Sequence, residues 1–293
     1  MFDPIKNERQ DHSNDHVSRP VRGLTLPRSL AAAIQRGGSR YVRTGGGRAN
    51  ASVASYNIHK CVGTDGRFDP ERTARVVAEI DADLIALQEA DQRTGDRCGL
   101  LDLAWLEEHA GLVPVHLPEN KISHGWHGNL ILARRGVIHH VHRLKLPGLE
   151  PRGAVIVDLE LKGASLRIIA AHFGLLRRSR SQQAHAILSA ADNIRPTIML
   201  GDLNEWRVNK RSSLLNLLPH FGPIDAVVPS FPARFPLFAL DRIMARPASL
   251  ITDIEVHQSP LARIASDHLP LKARLCLDGV WRRQATEGLA EAS

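Results

Sequence analysis

Polar side chains capable of chemistry follow apolar runs at several points of the 293-residue chain. In TIMLGDLNEW, residues 197–206, an apolar run ends and a carboxylate and a carboxamide follow at Asp202 and Asn204. Side chains alternate along an extended backbone, so two residues two positions apart lie on the same side. One of these groups can then face a water molecule while the other faces an anion.

The same arrangement recurs where other buried strands are predicted to begin or end. The polar residues at these positions are Asn57, Glu89, His172, Asp202, Asp241, Asp267 and His268. A single aspartate after a strand is usually a turn or cap residue. The repetition favours a site instead, because ligands of packed α/β sheets bind at strand ends, where rigid strands fix the side chains.

The residue types in this set indicate its chemistry. Oxygen donors dominate and nitrogen donors are few, which suits a hard cation such as Mg²⁺ or Mn²⁺. Mg²⁺ usually takes one or two carboxylates and keeps water, which leaves positions for a phosphate. Aspartate–histidine pairs supply proton transfer. The sequence therefore predicts metal-assisted hydrolysis of a phosphate ester by in-line attack of water.

The order of seven short blocks carries a resemblance. The blocks are YNIH, LQE, HGNLIL, AHFGL, GDLNEW, LDRI and SDHLP, spread over about residues 51–276. In this order they resemble the signature blocks of the endonuclease/exonuclease/phosphatase superfamily, which includes deoxyribonucleases, neutral sphingomyelinases and inositol polyphosphate phosphatases. GDLNEW followed by SDH is the specific part of this signal, whereas LQE alone is weak.

The resemblance implies a role for each residue on the metal and water side. Glu89 would be the main metal ligand with Asn57 beside it, and Asp267 would add a metal or water contact. Asp202 would orient or deprotonate the attacking water. Asn204 would donate its amide to a phosphate oxygen.

The resemblance also implies roles for two histidines. His268, oriented by Asp241, would act as a general base or stabilise the phosphate. His172 would contact the phosphate or help to protonate the leaving group. Members of the superfamily have differing acid and base assignments, so we treat the two histidines as a pair with exchangeable roles.

Three more residues are candidates for substrate contacts, each with a structural alternative. Arg152 in EPRGA would donate to a phosphate or occupy a surface turn. Arg180 in LLRRSRSQQ would line the phosphate site or belong to a solvated helix start. Asn129 in HGNLIL precedes a strand and would join the phosphate site. HHVH, residues 139–142, we expect to be a surface run beyond a strand rather than a metal cluster.

Periodicity predicts the elements that would position these groups. Strand patterns occur in ASVASYNIH, DLIALQE, HGNLILARRGV, TIMLGDLNEW, LFALDRIMAR, ITDIEVHQ and LPLKARL, and GAVIVDLELKGASLRIIAAHF predicts a hairpin. Helices are predicted before DLIALQE and in LLDLAWLEEHAGL, RSQQAHAILSAADNI and SSLLNLLPHFG. Together with the resemblance, this predicts an α/β fold, a four-layer sandwich of two mixed, mainly antiparallel sheets with helices on both outer faces.

Charge and composition suggest the organisation of the chain. The net charge is +7, but residues 1–50 hold nine Lys or Arg and four Asp or Glu, so the remainder carries only +2. We expect residues 1–50 to be a basic tail, disordered or loosely docked, 51–278 to be the catalytic domain and 279–293 a C-terminal extension. Three scattered cysteines form neither a disulfide framework nor a zinc knuckle. No stretch has the ~18 apolar residues of a membrane helix.

These observations predict a Mg²⁺- or Mn²⁺-dependent enzyme that hydrolyses a phosphodiester of the nucleic-acid or phospholipid type. Two alternatives stay open, a phosphomonoesterase acting on inositol-phosphate-like substrates and a scaffold that binds without catalysis. The nearly balanced charge of the folded part disfavours a processive nuclease. We expect a cytoplasmic monomer whose tail suits an anionic membrane surface as well as nucleic acid.

Overall fold

The computed structural model describes residues 41–45, 47–92, 96–117, 122–134, 138–191, 194–218, 220–278 and 280. Most of the predicted tail and of the predicted C-terminal extension therefore lie outside the described residues. The end of the predicted tail, Tyr41–Arg43, forms a strand that pairs with Ile251–Val256. The folded part of the chain thus begins at least as early as Tyr41.

Twelve strands and four helices are formed within these ranges. The strands are β1 Tyr41–Arg43, β2 Ala51–Asn57, β3 Leu84–Gln88, β4 Leu112–Pro114, β5 Leu130–Arg134, β6 Ile138–Leu146, β7 Arg152–Leu161, β8 Ala164–His172, β9 Thr197–Asp202, β10 Asp241–Arg246, β11 Ile251–Val256 and β12 Leu271–Leu275. The helices are α1 Pro70–Ile80, α2 Leu103–Ala110, α3 Arg177–Ala190 and α4 Ala262–Ala265. None of the helices in the described ranges is long and apolar enough to cross a membrane.

The strands form two mixed sheets. The first sheet has the order β1-β11-β12-β2-β3-β5-β4, and the second has the order β10-β9-β8-β7-β6. Only β2–β3 and β8–β9 pair in parallel among the described strands, and the other pairs are antiparallel. The predicted α/β sandwich of two mixed, mainly antiparallel sheets is therefore confirmed.

Alternating side chains divide the apolar residues of the second sheet between two clusters. In β9, Ile198 and Leu200 pack between the two sheets, whereas Met199 packs on the other side with Ile187 of α3. The first sheet is covered by α1, whose Val77 belongs to the same cluster as the residues between the sheets. Burial of the sheet faces that meet fixes the pairing register of the strands. A slip by one residue would move the buried apolar side chains of a strand to its other face.

Local signals explain where the helices begin and end. The Asp69 carboxylate accepts a hydrogen bond of 2.9 Å from the Arg72 N–H, and Pro70 occupies the first turn of α1. Such caps satisfy main-chain donors that the helix itself leaves unpaired. Helix α2 is capped at its end by Gly111, whose left-handed φ of 65° suits a residue without a side chain.

Two predictions about elements were wrong. SSLLNLLPHFG forms only a 3₁₀ turn at Leu215–Leu217, because Leu218 precedes a proline and adopts the extended conformation, with ψ of 141°, that such positions favour. HHVH lies inside β6 rather than beyond a strand. The mainly exposed residues of β6 lie at the edge of the second sheet, where polar side chains are usual.

Candidate active site

Three strands of the second sheet bring polar residues side by side. In the parallel pair β8–β9 His172 lies opposite Asp202, and in the antiparallel pair β9–β10 Asp241 lies opposite Asp202. The residues two positions away in these strands, Ala170, Leu200 and Ile243, belong to the core between the sheets. Since side chains alternate, the two aspartates and the histidine also point between the sheets.

The first sheet contributes Asn57 and Glu89 from the opposite side. Asn57 ends β2, and its Nδ2 donates a hydrogen bond of 3.0 Å to Oδ2 of Asp202, which links the two sheets. Asn57 is paired in register with Gln88 in the parallel strand β3, so Glu89 follows directly beside it. The backbone of Glu89 has a φ of 59°, an uncommon conformation for a residue other than glycine.

Asp202 lies at the centre of the group and is only 2% exposed. Its Oδ2 lies 3.4 Å from Nε2 of His172 and 3.8 Å from Nε2 of His268. Its Oδ1 accepts a hydrogen bond of 2.9 Å from the main-chain N–H of Asn204. The carboxylate is therefore held in position, while the distances from its Oδ2 to the two imidazole nitrogens are longer than those of ordinary hydrogen bonds.

His268 is fixed from behind by a second carboxylate. Its Nδ1 lies 2.9 Å from Oδ2 of Asp241, and the same oxygen accepts a hydrogen bond of 2.5 Å from the Ser230 hydroxyl. Burial lowers the pKa of His268, but Asp241 and Asp202 outweigh burial and raise this pKa to about 10. The imidazole is therefore positively charged at neutral pH, and its Nε2 faces Asp202.

His172 has the opposite electrostatic character. Burial lowers the pKa of its imidazole to about 4, against the attraction of Asp202 and with the help of the nearby Arg152 cation. Nη1 of Arg152 lies 2.9 Å from each ring nitrogen, and its Nη2 donates a hydrogen bond of 2.8 Å to Glu150. The two histidines are therefore not equivalent, since one is neutral and the other is charged.

Glu89 already has a cationic partner. Its Oε2 accepts a hydrogen bond of 2.5 Å from Nζ of Lys60. Burial raises the pKa of Glu89, but the positive charge around it, including the hydrogen-bonded Lys60, outweighs burial and holds the pKa below its usual value. The carboxylate is therefore ionised and attracts a cation at this position.

The chemical type of the donor atoms at this position suits a magnesium-type ion. The Glu89 carboxylate and the Asn57 amide oxygen are hard donors on neighbouring strands, and Mg²⁺ commonly takes only one or two carboxylates and fills the rest with water. Within the described part of the chain, no group of three or more His, Cys, Asp or Glu is arranged to hold a metal ion. Asp267, predicted as a further ligand, has a 38% exposed side chain 3.8 Å from Nδ1 of His59.

Two of the predicted contact residues donate their hydrogen bonds to the protein itself. Nδ2 of Asn204 donates to the Phe173 carbonyl at 3.0 Å. The buried Asn129 donates to the carbonyls of Trp126 and Gly153 at 3.1 and 3.0 Å. Both amides therefore donate to main-chain carbonyls, and their predicted contacts with a phosphate stay predictions.

Arg180 likewise lies in a protein network rather than at the cleft wall. It is 4% exposed, and its guanidinium donates to Glu205 at 3.2 Å and to the Ser213 hydroxyl at 2.9 Å. The prediction that it begins a solvated helix face is wrong, because the side chain is buried in α3. Its predicted contact with substrate stays a prediction, while Arg152 does lie beside His172.

A cleft opens beside Glu89 and His172. The residues that line it are Lys60, Glu89, Asp91, Gln92, Arg97, His127, Gly128, Glu150, Pro151, Arg152 and His172. Sequence reasoning missed Ser230, Glu150, Arg97 and His127. Glu150 and His127 are the first residues of the quoted segments EPRGA and HGNLIL. Ser230 and Arg97 carry no sequence signal, because each reaches its partner only through the fold.

Comparison with known proteins places most of the chain in one family. The Endonuclease/Exonuclease/phosphatase family profile matches residues 54–268, from β2 to His268. The Escherichia coli K12 protein "Uncharacterized protein YbhP" is 27% identical over 252 residues, covering 77% of this chain and 96% of that protein.

Solved structures share the fold. An endonuclease/exonuclease/phosphatase from Beutenbergia cavernae is 23% identical with a TM-score of 0.58, over 78% of this chain and 72% of that one. The human Nocturnin catalytic domain with bound sulfate is 19% identical with a TM-score of 0.60, over 80% of this chain and 96% of that one. At such low identity these matches establish the fold alone.

Proposed function

The chain belongs to the endonuclease/exonuclease/phosphatase family, and on that premise we propose that it is a Mg²⁺- or Mn²⁺-dependent hydrolase of phosphodiesters. Members of this family hydrolyse phosphate esters and generally use divalent metal ions. One observation carries the proposal for this chain. The buried Asp202 carboxylate has an imidazole nitrogen 3.4 Å away on one side and another 3.8 Å away on the other.

In the proposed reaction, Asp202 accepts the proton of the attacking water. The carboxylate is suited to this role because Asn57 and the Asn204 N–H hold it in place through both oxygens. A base fixed by its neighbours loses little freedom when it aligns a nucleophile. The water would approach the phosphorus in line with the leaving oxygen.

His268 and His172 would contact the phosphate from the two sides of Asp202. The bond between Nδ1 of His268 and Asp241 fixes the ring, so that Nε2 can donate to a phosphate oxygen. Arg152, which lies beside His172, would add a second donor. Preorganised donors stabilise the charge that develops on a phosphate in the transition state.

Glu89 and Asn57 are the residues that would hold the divalent cation. When bound, that cation supplies positive charge to the phosphate and leaving oxygens. Lys60 also pairs with Glu89, at 2.5 Å. Membrane binding by the tail, the monomeric state and a metal contact from Asp267 stay predictions.

A substrate panel tests the proposal. We expect plasmid DNA, RNA, sphingomyelin or phosphoinositides to be hydrolysed with Mn²⁺, and we expect Glu89→Ala and His268→Ala each to abolish that hydrolysis. Full activity in EDTA would overturn the metal role. Hydrolysis limited to inositol-phosphate-like monoesters would favour the phosphatase alternative, and binding without any hydrolysis would favour the scaffold.

A further inference from the structure

Three cationic side chains line the cleft beside His172, and they are not equally balanced by acids. Lys60 pairs with Glu89 at 2.5 Å, and Arg152 pairs with Glu150 at 2.8 Å. Arg97 makes no ion pair with any described residue, and its side chain has one polar contact there, from Nη1 to Nδ1 of His127 at 3.1 Å. Arg97 therefore keeps most of its donors available to the cleft.

The partner of Arg97 brings no negative charge. Burial lowers the pKa of the His127 imidazole, and the Arg97 cation lowers it further. A neutral Nδ1 can accept one hydrogen bond from the guanidinium, and it leaves the positive charge uncompensated. A guanidinium in this state favours a bidentate anionic ligand, since charge-assisted pairs are the stronger hydrogen bonds.

The loop that carries His127 is held rigidly. Asp91 accepts hydrogen bonds of 2.6 Å from the Ser123 hydroxyl and 3.0 Å from the His124 N–H, so its own charge is directed at this loop. At the other end Nδ2 of Asn129 donates to the Gly153 carbonyl at 3.0 Å. A side chain that depends on such a loop is positioned before a ligand arrives.

The segment that carries Arg97 is anchored as well. Asp91 forms a β-bridge with Gly99, and the Gln92 N–H donates to the Cys98 carbonyl at 3.0 Å. Arg97, Glu89 and His172 line the same cavity. The guanidinium thus lies beside the hydrolytic group and outside it.

We propose that Arg97, supported by His127, forms a second anion-binding subsite, and that the substrate carries a phosphate group in addition to the ester that is cleaved. This inference rests on the proposed function, because it takes the hydrolysed ester to lie at Asp202. The second phosphate has the chemistry of a neighbouring nucleotide phosphate or of a phosphorylated headgroup. In either case it would stay attached while the first ester reacts.

Binding of simple phosphonates tests the subsite without any turnover. We would titrate the full chain, at constant Mg²⁺, with alkane-α,ω-bisphosphonates of increasing length and with the matching alkylmonophosphonates. One bisphosphonate length should bind roughly tenfold more tightly than its monophosphonate, as expected for one charge-assisted contact of about 1.4 kcal/mol. Arg97→Gln should abolish that preference, and Arg97→Lys should restore part of it.

A matched control separates this effect from general charge. Arg75→Gln removes an exposed cation that pairs with Glu71 on α1, and it should leave the bisphosphonate preference unchanged. Equal affinity for the two ligand types in the unmodified chain would overturn the subsite. So would a preference that persists in an Arg97→Gln protein with an unaltered thermal melt.

A kinetic arm identifies the source of the second phosphate. Dithymidine monophosphate is compared with its 5′-phosphorylated form, and glycerophosphoinositol with its 4-phosphate. In whichever pair is hydrolysed, Arg97→Gln should raise KM roughly tenfold for the member that carries the additional phosphate. It should leave KM for the member without that phosphate unchanged. If neither pair is hydrolysed but the bisphosphonate preference still depends on Arg97, the subsite stands and the proposed hydrolysis fails.

Discussion

Two buried carboxylates three residues apart, Asp202 at the end of β9 and Glu205 in the segment that follows it, have opposite surroundings. Glu205 accepts hydrogen bonds from the main-chain N–H and hydroxyl of Ser213, from the Arg207 N–H and from the Arg180 guanidinium. Asp202 accepts bonds from Asn57 and the Asn204 N–H, but the two imidazoles beside it are 3.4 and 3.8 Å away.

This difference distinguishes a carboxylate that stabilises the fold from one that is available for catalysis. Buried polar groups are normally satisfied by the protein, and Glu205 follows that rule. Around Asp202 hydrogen-bonding capacity is left over, because Oδ1 of Asp241 has no partner among the described residues, and Nε2 of His172 and Nε2 of His268 lie 3.4 and 3.8 Å from the Asp202 carboxylate. A ligand can complete these contacts, so we interpret the Asp202 group as the reactive one.

The largest expected effect comes from neutralising the reactive carboxylate. Asp202→Asn keeps the shape and the acceptor for the Asn204 N–H, but it removes the base. Since positioned proton transfer contributes about 10²–10⁴-fold, we expect turnover to fall roughly 10³-fold. The thermal melt should stay within about 4 °C of the unmodified chain, corresponding to a change of about 1 kcal/mol. Steady-state kinetics and calorimetry on one preparation measure both.

A large loss of stability in Asp202→Asn would erase the distinction between the two carboxylates. It would mean that Asp202, like Glu205, mainly holds the fold together. Unchanged turnover would instead mark another group as the base.

The next effect concerns the satisfied carboxylate. Glu205→Gln leaves the guanidinium of Arg180 buried without a countercharge, and breaking one partner of a buried pair costs about 3–5 kcal/mol. We therefore expect a loss of about 3 kcal/mol in the free energy of unfolding, measured by urea denaturation. The residual activity per folded molecule should change far less than in Asp202→Asn.

The matched control for Glu205→Gln is an exposed pair of the same kind. Arg75 and Glu71 on α1 form an ion pair whose side chains are 59% and 66% exposed, and such pairs contribute about 0–1 kcal/mol. Arg75→Gln should therefore change the free energy of unfolding by no more than about 1 kcal/mol. Equal losses in the two variants would show that burial does not govern the stabilisation by Glu205.

The smallest effect appears in the pH dependence of stability. Burial raises the pKa of Glu205, but hydrogen bonds from Ser213 and Arg207 outweigh burial and lower it below its usual value. A lowered folded-state pKa contributes stability above the unfolded value of about 4.3, and this contribution is lost as the pH falls through the folded-state pKa. The stability gap between the unmodified chain and Glu205→Gln should therefore narrow as the pH falls below about 4.3. Urea denaturation over a pH series checks this, and a gap independent of pH would contradict the assignment.

The sequence alone determined which residues lie at strand ends and which face of each strand they share. The alternation Ile198, Leu200, Asp202 follows from the period of an extended chain, so the inward direction of Asp202 could be predicted before any fold was known. The order of the motifs likewise predicted two mixed sheets, and the structure confirms them. Local propensity failed at Leu218, where the following proline overrides an apolar helical pattern.

Only the tertiary structure decided what each charged group does. Sequence left His172 and His268 exchangeable, but their pKa values of about 4 and about 10 depend on burial and on carboxylates that other strands supply. The tertiary structure also pairs Arg180 with the acid Glu205, whereas it leaves Arg97 with a neutral partner, His127. Electrostatic energies depend on distances through space, and residues far apart in the chain set those distances only once the sheets have packed.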